Sequence, residues 1–370
     1  MLSQSKYRIV ALLLSLVLCG CSIYSDTEET PVVGAESKVQ LNIGVSLTDG
    51  APFIGMQSRG ELADAVGDGE KMQTLRIIIV RPDGTVEHNR YYDFHQAPTT
   101  YFATAKFEVV GGETKRVYLF ANEHTTFATG HKVANYDFTS IKAGKAFPAE
   151  EINAALIEVN DSTTEIPLPL FMSESHSVEV PANEDKSVEL IIVRAAVKFT
   201  FRLINNSAEP LSLSKLTISK LARKEYLLPN GVVYDTELSE EDNTTSITYI
   251  KEYKVPMVNN NDHYIYEKLF SGQSVPATTT TGRGELLLAP IYLLESNYDD
   301  EATSNKLNYN ISLTIGDETY EKGYFDNLDA LPRNTHVVVD VQLNSELKEL
   351  DCSVRVYPYG EYWLYPEFGQ

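Results

Sequence analysis

Cysteine is nearly absent from this chain. Three of its 370 residues carry a thiol, at positions 19, 21 and 352, which is too few for a disulfide frame and lacks the paired spacing of a zinc site. Positive charge is scarce as well: 31 Lys and Arg stand against 52 Asp and Glu, a net charge of −21. A nucleic-acid binder neutralises phosphates with clustered cations, and an anionic lipid surface makes the same demand, so the balance argues against both partners. Its plain consequence is solubility. Catalytic motifs are missing too. The seven His residues (88, 95, 124, 131, 176, 263, 336) show no His-Glu-x-x-His spacing, there is no Gly-x-Ser-x-Gly elbow, and Gly67-Asp68-Gly69-Glu70 lacks the Lys-Ser/Thr of a phosphate loop. The chain reads as a non-enzyme with no cofactor and no metal.

What is present begins with the first residues. Lys6 and Arg8 precede an apolar run at 9–18, broken only by Ser15, and Leu18-Cys19-Gly20-Cys21 closes it. That is the layout of a secretory signal peptide, and it is well short of the about 20 apolar residues of a membrane span. The ending resembles the lipobox of a bacterial lipoprotein. It predicts a signal at 1–20, acylation of Cys21, and an outer-membrane precursor. With Cys19 removed and Cys21 acylated, Cys352 is the one thiol left, so an exported chain must hold together by its core alone.

Residues 22–37 are polar and acidic and read as a tether. From Val39 the dominant signal is period two: Val39, Leu41, Ile43, Val45 and Leu47 alternate with polar residues or glycine, placing five apolar side chains on one face of a strand. Further strands are predicted at 75–80, 101–109, 116–121, 188–193, 196–203, 211–218, 247–253, 286–293, 307–315, 336–343 and 350–356. Pro82-Asp83-Gly84, Gly111-Gly112, Pro229-Asn230-Gly231 and Gly316-Asp317 separate some of them as turns. One helix is expected from Pro148, with Ile152, Leu156 and Val159 on a shared face. The charged turn Asn183-Glu184-Asp185-Lys186 suggests a boundary at 186/187, with a tether and first strand at 21–59, one domain at 60–186 and another at 187–370. Many short strands with such punctuation predict an all-β chain of sandwiches with one or a few short helices.

Acidic loops at 240–243, 259–262 and 299–301 offer oxygen ligands but no calcium-loop pattern, and read as solvated surface. Tyr91-Tyr92 and the aromatic residues from Tyr357 to Trp363 would suit a sugar platform, though in a β-rich protein such residues are more often core or edge positions.

A longer combination carries more. A lipobox, a tether, an isolated alternating strand, a segment with Arg59-Gly60, and then a globular region follow in that order. Val117-Tyr118-Leu119-Phe120-Ala121-Asn122, Leu168-Pro169-Leu170-Phe171-Met172-Ser173, Val193-Arg194-Ala195-Ala196-Val197-Lys198-Phe199 and Leu331-Pro332-Arg333-Asn334-Thr335-His336-Val337 come after it, and the closing 352–356 strand completes the set. This arrangement resembles the fimbrillins, the subunits of type V pili of Bacteroidales. The resemblance implies two transthyretin-like Greek-key β-sandwich domains. It implies a lipoprotein precursor cut by an Arg-specific surface protease after Arg59, so that Gly60 begins the mature chain in an extracellular fimbrium. The strand carrying Val39, Leu41, Ile43, Val45 and Leu47 would then leave, unpairing a sheet edge, and other fimbrial subunits would supply a replacement by donor-strand exchange. At about 25 cal/mol per Å2, five such side chains contribute on the order of 5–10 kcal/mol before the ordering of the donor is subtracted. The candidate donor is the tail at 357–370, in which Trp363 and Tyr365, two apart, would fill adjacent sockets after Pro358 breaks the preceding ladder. A shaft pilin serving adhesion is the leading role, ahead of a tip and then an anchor subunit. A surface glycan-binding lipoprotein is the rival from another class. The family's common Pro-Trp pair in the last strand is replaced here by Tyr357-Pro358-Tyr359-Gly360.

Overall fold

The structure is a computed structural model that describes residues 36–47, 67–94, 102–238, 246–254, 263–297, 309–322, 330–343 and 351–358. Strands β1 (Lys38–Leu47), β2 (Thr74–Val80), β3 (Val86–Asp93), β4 (Phe102–Val110) and β5 (Glu113–Ala121) come first. The helix α1 (Ala149–Ala154) and a short β6 (Leu156–Glu158) precede β7 (Met172–Val180) and β8 (Lys186–Arg194). All of these strands except β6 join one sheet, in the order β3-β2-β5-β7-β8-β1-β4. Its middle is weak: β7 meets β8 only at Met172↔Arg194 and Ser173↔Val193. The sheet therefore divides into two layers, β3-β2-β5-β7 and β8-β1-β4, whose inner faces share a core that includes Leu41, Ile43, Ile77, Phe107, Leu119 and Ile192.

The chain then forms β9 (Val197–Asn205), β10 (Leu211–Ala222), β11 (Lys224–Tyr226), β12 (Asn230–Leu238), β13 (Ser246–Lys254) and β14 (His263–Val275). It continues with β15 (Gly284–Leu287), β16 (Ile291–Leu293), β17 (Ser296–Asn297), β18 (Asn310–Ile315), β19 (Glu318–Lys322), β20 (Ala330–Leu331), β21 (Thr335–Leu343) and β22 (Asp351–Pro358). The order β15-β9-β21-β22 makes one sheet and β14-β10-β18-β19 another. Phe199, Phe201, Val337 and Val339 from the first and Leu216, Ile218, Ile311 and Leu313 from the second fill the space between them. The molecule is all-β with one short helix.

Alternation located β1 and β4 because one face of each is buried and the other mostly wet, and it located β9 and β21 although both of their faces are buried. Among the strands it missed are β12, β14 and β19, and also β3 and β7, whose sequences (Val-Glu-His-Asn-Arg-Tyr-Tyr-Asp and Met-Ser-Glu-Ser-His-Ser-Val-Glu-Val) carry polar side chains on both faces. β2 is buried throughout, because Ile78 and Val80 pack under the 127–171 segment while Ile77 and Ile79 face the first core.

Four expectations are corrected. The helix stops at Ala154: Ala155 is extended, and Leu156–Glu158 pairs with β11, so Leu156 and Val159 share no helical face with Ile152. The predicted strand at 286–293 is two strands, because Ala289-Pro290 interrupts it and proline has no N–H for the ladder. Pro358 does not stand outside the last ladder; it is the final residue of β22 and is paired with Thr335. The charged turn at 183–186 joins β7 to β8, and β8 pairs with β1 from Lys186 to Ile192, so the change of sheet follows Arg194. Gly111-Gly112 does form its turn. Gly112 has φ +73°, and a Cβ on Gly111 would sit 2.5 Å from the Ala182 carbonyl oxygen.

Candidate functional site: the groove filled by the first strand

β1 lies inside its sheet, between β4 and β8. It runs antiparallel to β4, from Lys38↔Val110 to Ser46↔Phe102, and parallel to β8, from Leu41↔Lys186 to Leu47↔Ile192. This corrects the expectation that its loss would unpair a sheet edge: removing β1 would open two ladders facing each other across a slot. The predicted face is the buried one. Leu41, Ile43 and Val45 are 0–1% exposed, Val39 is 5% and Leu47 9%. These five side chains form part of the first core and are the plugs of the groove, with the rest of that core, Phe107, Leu119 and Ile192 among it, as the sockets.

The other face of β1 is held by weak, wet contacts. Lys38 Nζ meets Glu108 at 3.0 Å with both side chains exposed, Asn42 Nδ2 donates to Ser187 Oγ at 3.2 Å, and the Gln40 N–H donates to Asp185 Oδ1 at 2.9 Å. Exposed pairs of this kind add about 0–1 kcal/mol each, so burial and the two ladders hold the strand. Gly44 is covered by Phe102, whose ring carbons lie 3.0 Å from where a Cβ would stand. Upstream, Glu36 pairs with Arg81 at 2.8 Å, and Arg81 also reaches Glu113 at 2.6 Å; these two carboxylates hold the guanidinium pKa above its usual value.

The chain leaves β1 at Leu47 and is described again at Gly67, where a short turn at Asp68–Glu70 is clamped. Glu70 is buried. Its carboxylate accepts from the Gly67 N–H at 2.7 Å and Tyr292 OH at 2.9 Å and pairs with Lys198 Nζ at 3.1 Å, while its carbonyl accepts from Arg194 Nε at 2.7 Å. The residues around it tie the N-terminal sandwich to the C-terminal one. Arg194 Nη1 donates to Asn334 Oδ1 at 3.0 Å. Arg333 forks onto Glu295 Oε1 at 2.6 and 3.1 Å, and its Nη2 also donates to the Tyr226 carbonyl at 2.5 Å. The sequence reading did not assign these roles, although Arg194, Lys198, Arg333 and Asn334 all fall within motifs it singled out. Asn122, from another such motif, has φ +57° and a side chain that accepts from the Gln73 and Thr74 N–H groups and donates to the Lys71 and Leu170 carbonyls.

Two histidines, His336 buried and His176 half-buried, make this architecture acid-sensitive. Burial pushes His336 down to about 3, with Lys198 adding to the shift and Glu70 opposing it, and burial pushes His176 down to about 4, with the Ile191 carbonyl opposing and Arg116 adding. Unfolding returns each to about 6.5, so the unfolded chain binds more protons below that pH. Their stability is full above about 6.5 and falls as the pH drops toward 4. The melting temperature of His336→Gln is accordingly expected to fall less between pH 7 and pH 5 than that of the parent chain, measured by thermal melts. An equal fall in both would contradict the assignment.

Of the other sequence-predicted site residues, Cys21, Arg59, Gly60, Trp363 and Tyr365 lie outside the described residues, as do the acidic loops at 240–243, 259–262 and 299–301. Tyr357 and Pro358 belong to β22, so a donor segment would start no earlier than residue 359. Among the described residues no three His, Cys, Asp or Glu side chains gather as metal ligands, and no helix is long and apolar enough to cross a membrane.

No protein-family model matches the sequence, and no curated protein does. Solved structures do. A candidate cell adhesion protein from Parabacteroides distasonis superposes with a TM-score of 0.51 over 88% of this chain and 98% of its own, at 13% identity. The tip fimbrial protein Mfa3 of Porphyromonas gingivalis, in a C-terminally truncated form, does so with a TM-score of 0.51 over 87% of this chain and 99% of its own, at 10% identity. The chain thus has the fold of these bacterial adhesion and fimbrial proteins.

Proposed function

We propose that this chain is a fimbrial subunit of the Bacteroidales type, assembled by replacing β1 with a strand from a neighbour. The observation that supports this best is the position of β1: the first described strand fills the middle of a layer, is joined to the rest through residues 48–66, and supplies five side chains to a core that the remaining strands surround. A cut after Arg59 would sever that connection, leaving β1 held by noncovalent contacts alone and the Glu70 clamp intact on the mature side. Loss of β1 would then expose two backbone ladders and an apolar slot, the combination that captures an extended strand.

In this reading Cys21 carries the lipid that brings the precursor to the outer membrane, an Arg-specific surface protease makes the cut before Gly60, and the mature subunit joins an extracellular fimbrium that serves adhesion. The donor is the segment 359–370 of a neighbouring subunit, with Trp363 and Tyr365 seated where alternate β1 side chains sat. The role is that of a shaft subunit. Deleting residues 359–370 should leave a folded, exported and cleaved protein that forms no polymers, judged by detergent-resistant ladders on gels. Ladders of undiminished length would assign the donor to another segment. A retained lipid and an intact β1 in every surface-exposed copy would instead favour an anchor or a glycan-binding lipoprotein.

A further inference from the structure

The two sandwiches repeat one motif and differ at one position. In each, the first strand is flanked by an antiparallel and a parallel neighbour: β1 by β4 and β8, β9 by β15 and β21. In the C-terminal sheet the far side of β21 is covered along eight residue pairs by antiparallel β22. In the N-terminal sheet the far side of β8 meets β7 at two pairs only, after which the strands part. Between them lies a cleft of about 670 Å3.

This cleft has the makings of a strand site. Its apolar wall is Val178, Val188 and Leu190, members or close neighbours of the first core, and Pro229, Gly231 and Val232 at the start of β12 line it as well. One bond shows which way the backbone of β8 faces: His176 Nε2 donates to the Ile191 carbonyl at 2.7 Å, across the gap. Backbone direction alternates along a strand, so Ser187 and Glu189 turn toward the cleft as well, where the described residues provide no strand partner. The stretch from Lys186 to Leu190, ahead of the Ile191 carbonyl that His176 caps, spans about 13 Å at about 3.3 Å per residue, room for a strand of about five residues. The lining carries Arg116 and Lys186 beside one carboxylate, Glu179, with Glu189 of β8 exposed alongside. Arg116 is spread over it by donating to Ser175 Oγ at 2.8 Å and Ser177 Oγ at 3.0 Å.

We propose that this cleft is a second strand-addition site, taking an extended segment of a partner protein with apolar residues at alternate positions and acidic residues between them, laid antiparallel to β8 as β22 is on β21. Main-chain hydrogen bonds to Ser187 and Glu189 supply affinity, the apolar wall fixes register, and the two cations select an acidic sequence. The site lies across β8 from the β1 groove, so it exists in the uncut chain and stands or falls independently of cleavage at Arg59.

The probe is an acetylated, amidated eight-residue peptide alternating Val and Glu, with its Val–Lys counterpart as control, titrated to 1 mM onto the uncut chain. The Val–Glu peptide should bind and should slow amide exchange at Ser187 and Glu189 by about tenfold or more, as new ladder bonds require. The double variant Arg116→Glu, Lys186→Glu should lose about tenfold in affinity for it and gain for the Val–Lys peptide; Arg116→Gln alone serves if the double variant does not fold. Absence of binding at 1 mM, binding without protection on β8, or equal affinity for both peptides would overturn the proposal. Binding of an oligoglucuronate without β8 protection would overturn it in favour of an acidic saccharide.

Discussion

Ile43→Asp should expel β1 from its groove without any protease. Ile43 is 1% exposed between β4 and β8, paired with Ala105 on one side and Val188 on the other. An unpaired carboxylate there costs several kcal/mol, comparable with the on the order of 5–10 kcal/mol that the five side chains contribute together. The cheapest escape is for the strand to leave while the rest of the fold stays in place, because β4 and β8 keep covalent and core contacts of their own. Amide exchange should then rise along Phe102–Val110 and Lys186–Arg194, with the C-terminal sheets unchanged. A synthetic peptide of residues 38–47 added in trans should bind this variant, reverse the exchange and raise its melting temperature, while leaving the parent chain untouched. Global unfolding with no rescue by the peptide would mean that the domain cannot exist with an open groove, and strand replacement would lose its physical basis.

The second large effect is expected at the junction. Arg333 is fully buried, forks onto Glu295, reaches Ser173 Oγ at 3.4 Å and lies 3.8 Å from Glu225. Burial raises the Glu225 carboxyl to about 8, an effect Arg333 opposes and Glu295 reinforces. Arg333→Met would leave a buried carboxylate and the Tyr226 carbonyl without their cationic partner, a loss of about 3–5 kcal/mol. For a chain of this size that lowers the melting temperature by about 4–6 °C. Adding Glu295→Gln to Arg333→Met should recover part of the loss, because the two residues form one network and their effects are not additive. Independent, additive effects of the two substitutions would show that the fork contributes little.

Period-two alternation made β1, β4, β9 and β21 legible, since each has one face in a core. It made the buried face of β1 legible residue by residue, from Val39 to Leu47. What it left out follows from what alternation encodes. A strand shows which face is buried but not which strands flank it, so β1 read as an edge when it lies between β4 and β8. β7 was invisible because Glu174 and His176 occupy its inner face, where the layers part from each other. Arg194, Lys198, Arg333 and Asn334 stood inside motifs of the sequence, but nothing in those motifs marked them as one cluster. Those residues are spaced by the packing of two sandwiches, and only the folded chain brings Glu70 within reach of Lys198 and Tyr292.

The central claim is that β1 is absent from the assembled form. The measurement that addresses it most directly is N-terminal sequencing, with intact mass, of subunits recovered from polymers on the cell surface. The account predicts a chain that starts at Gly60 and contains no peptide from residues 38–47, and a subunit carrying Arg59→Ala that stays unassembled. Polymers built from chains that begin at an acylated Cys21, with residues 38–47 still present, would contradict it.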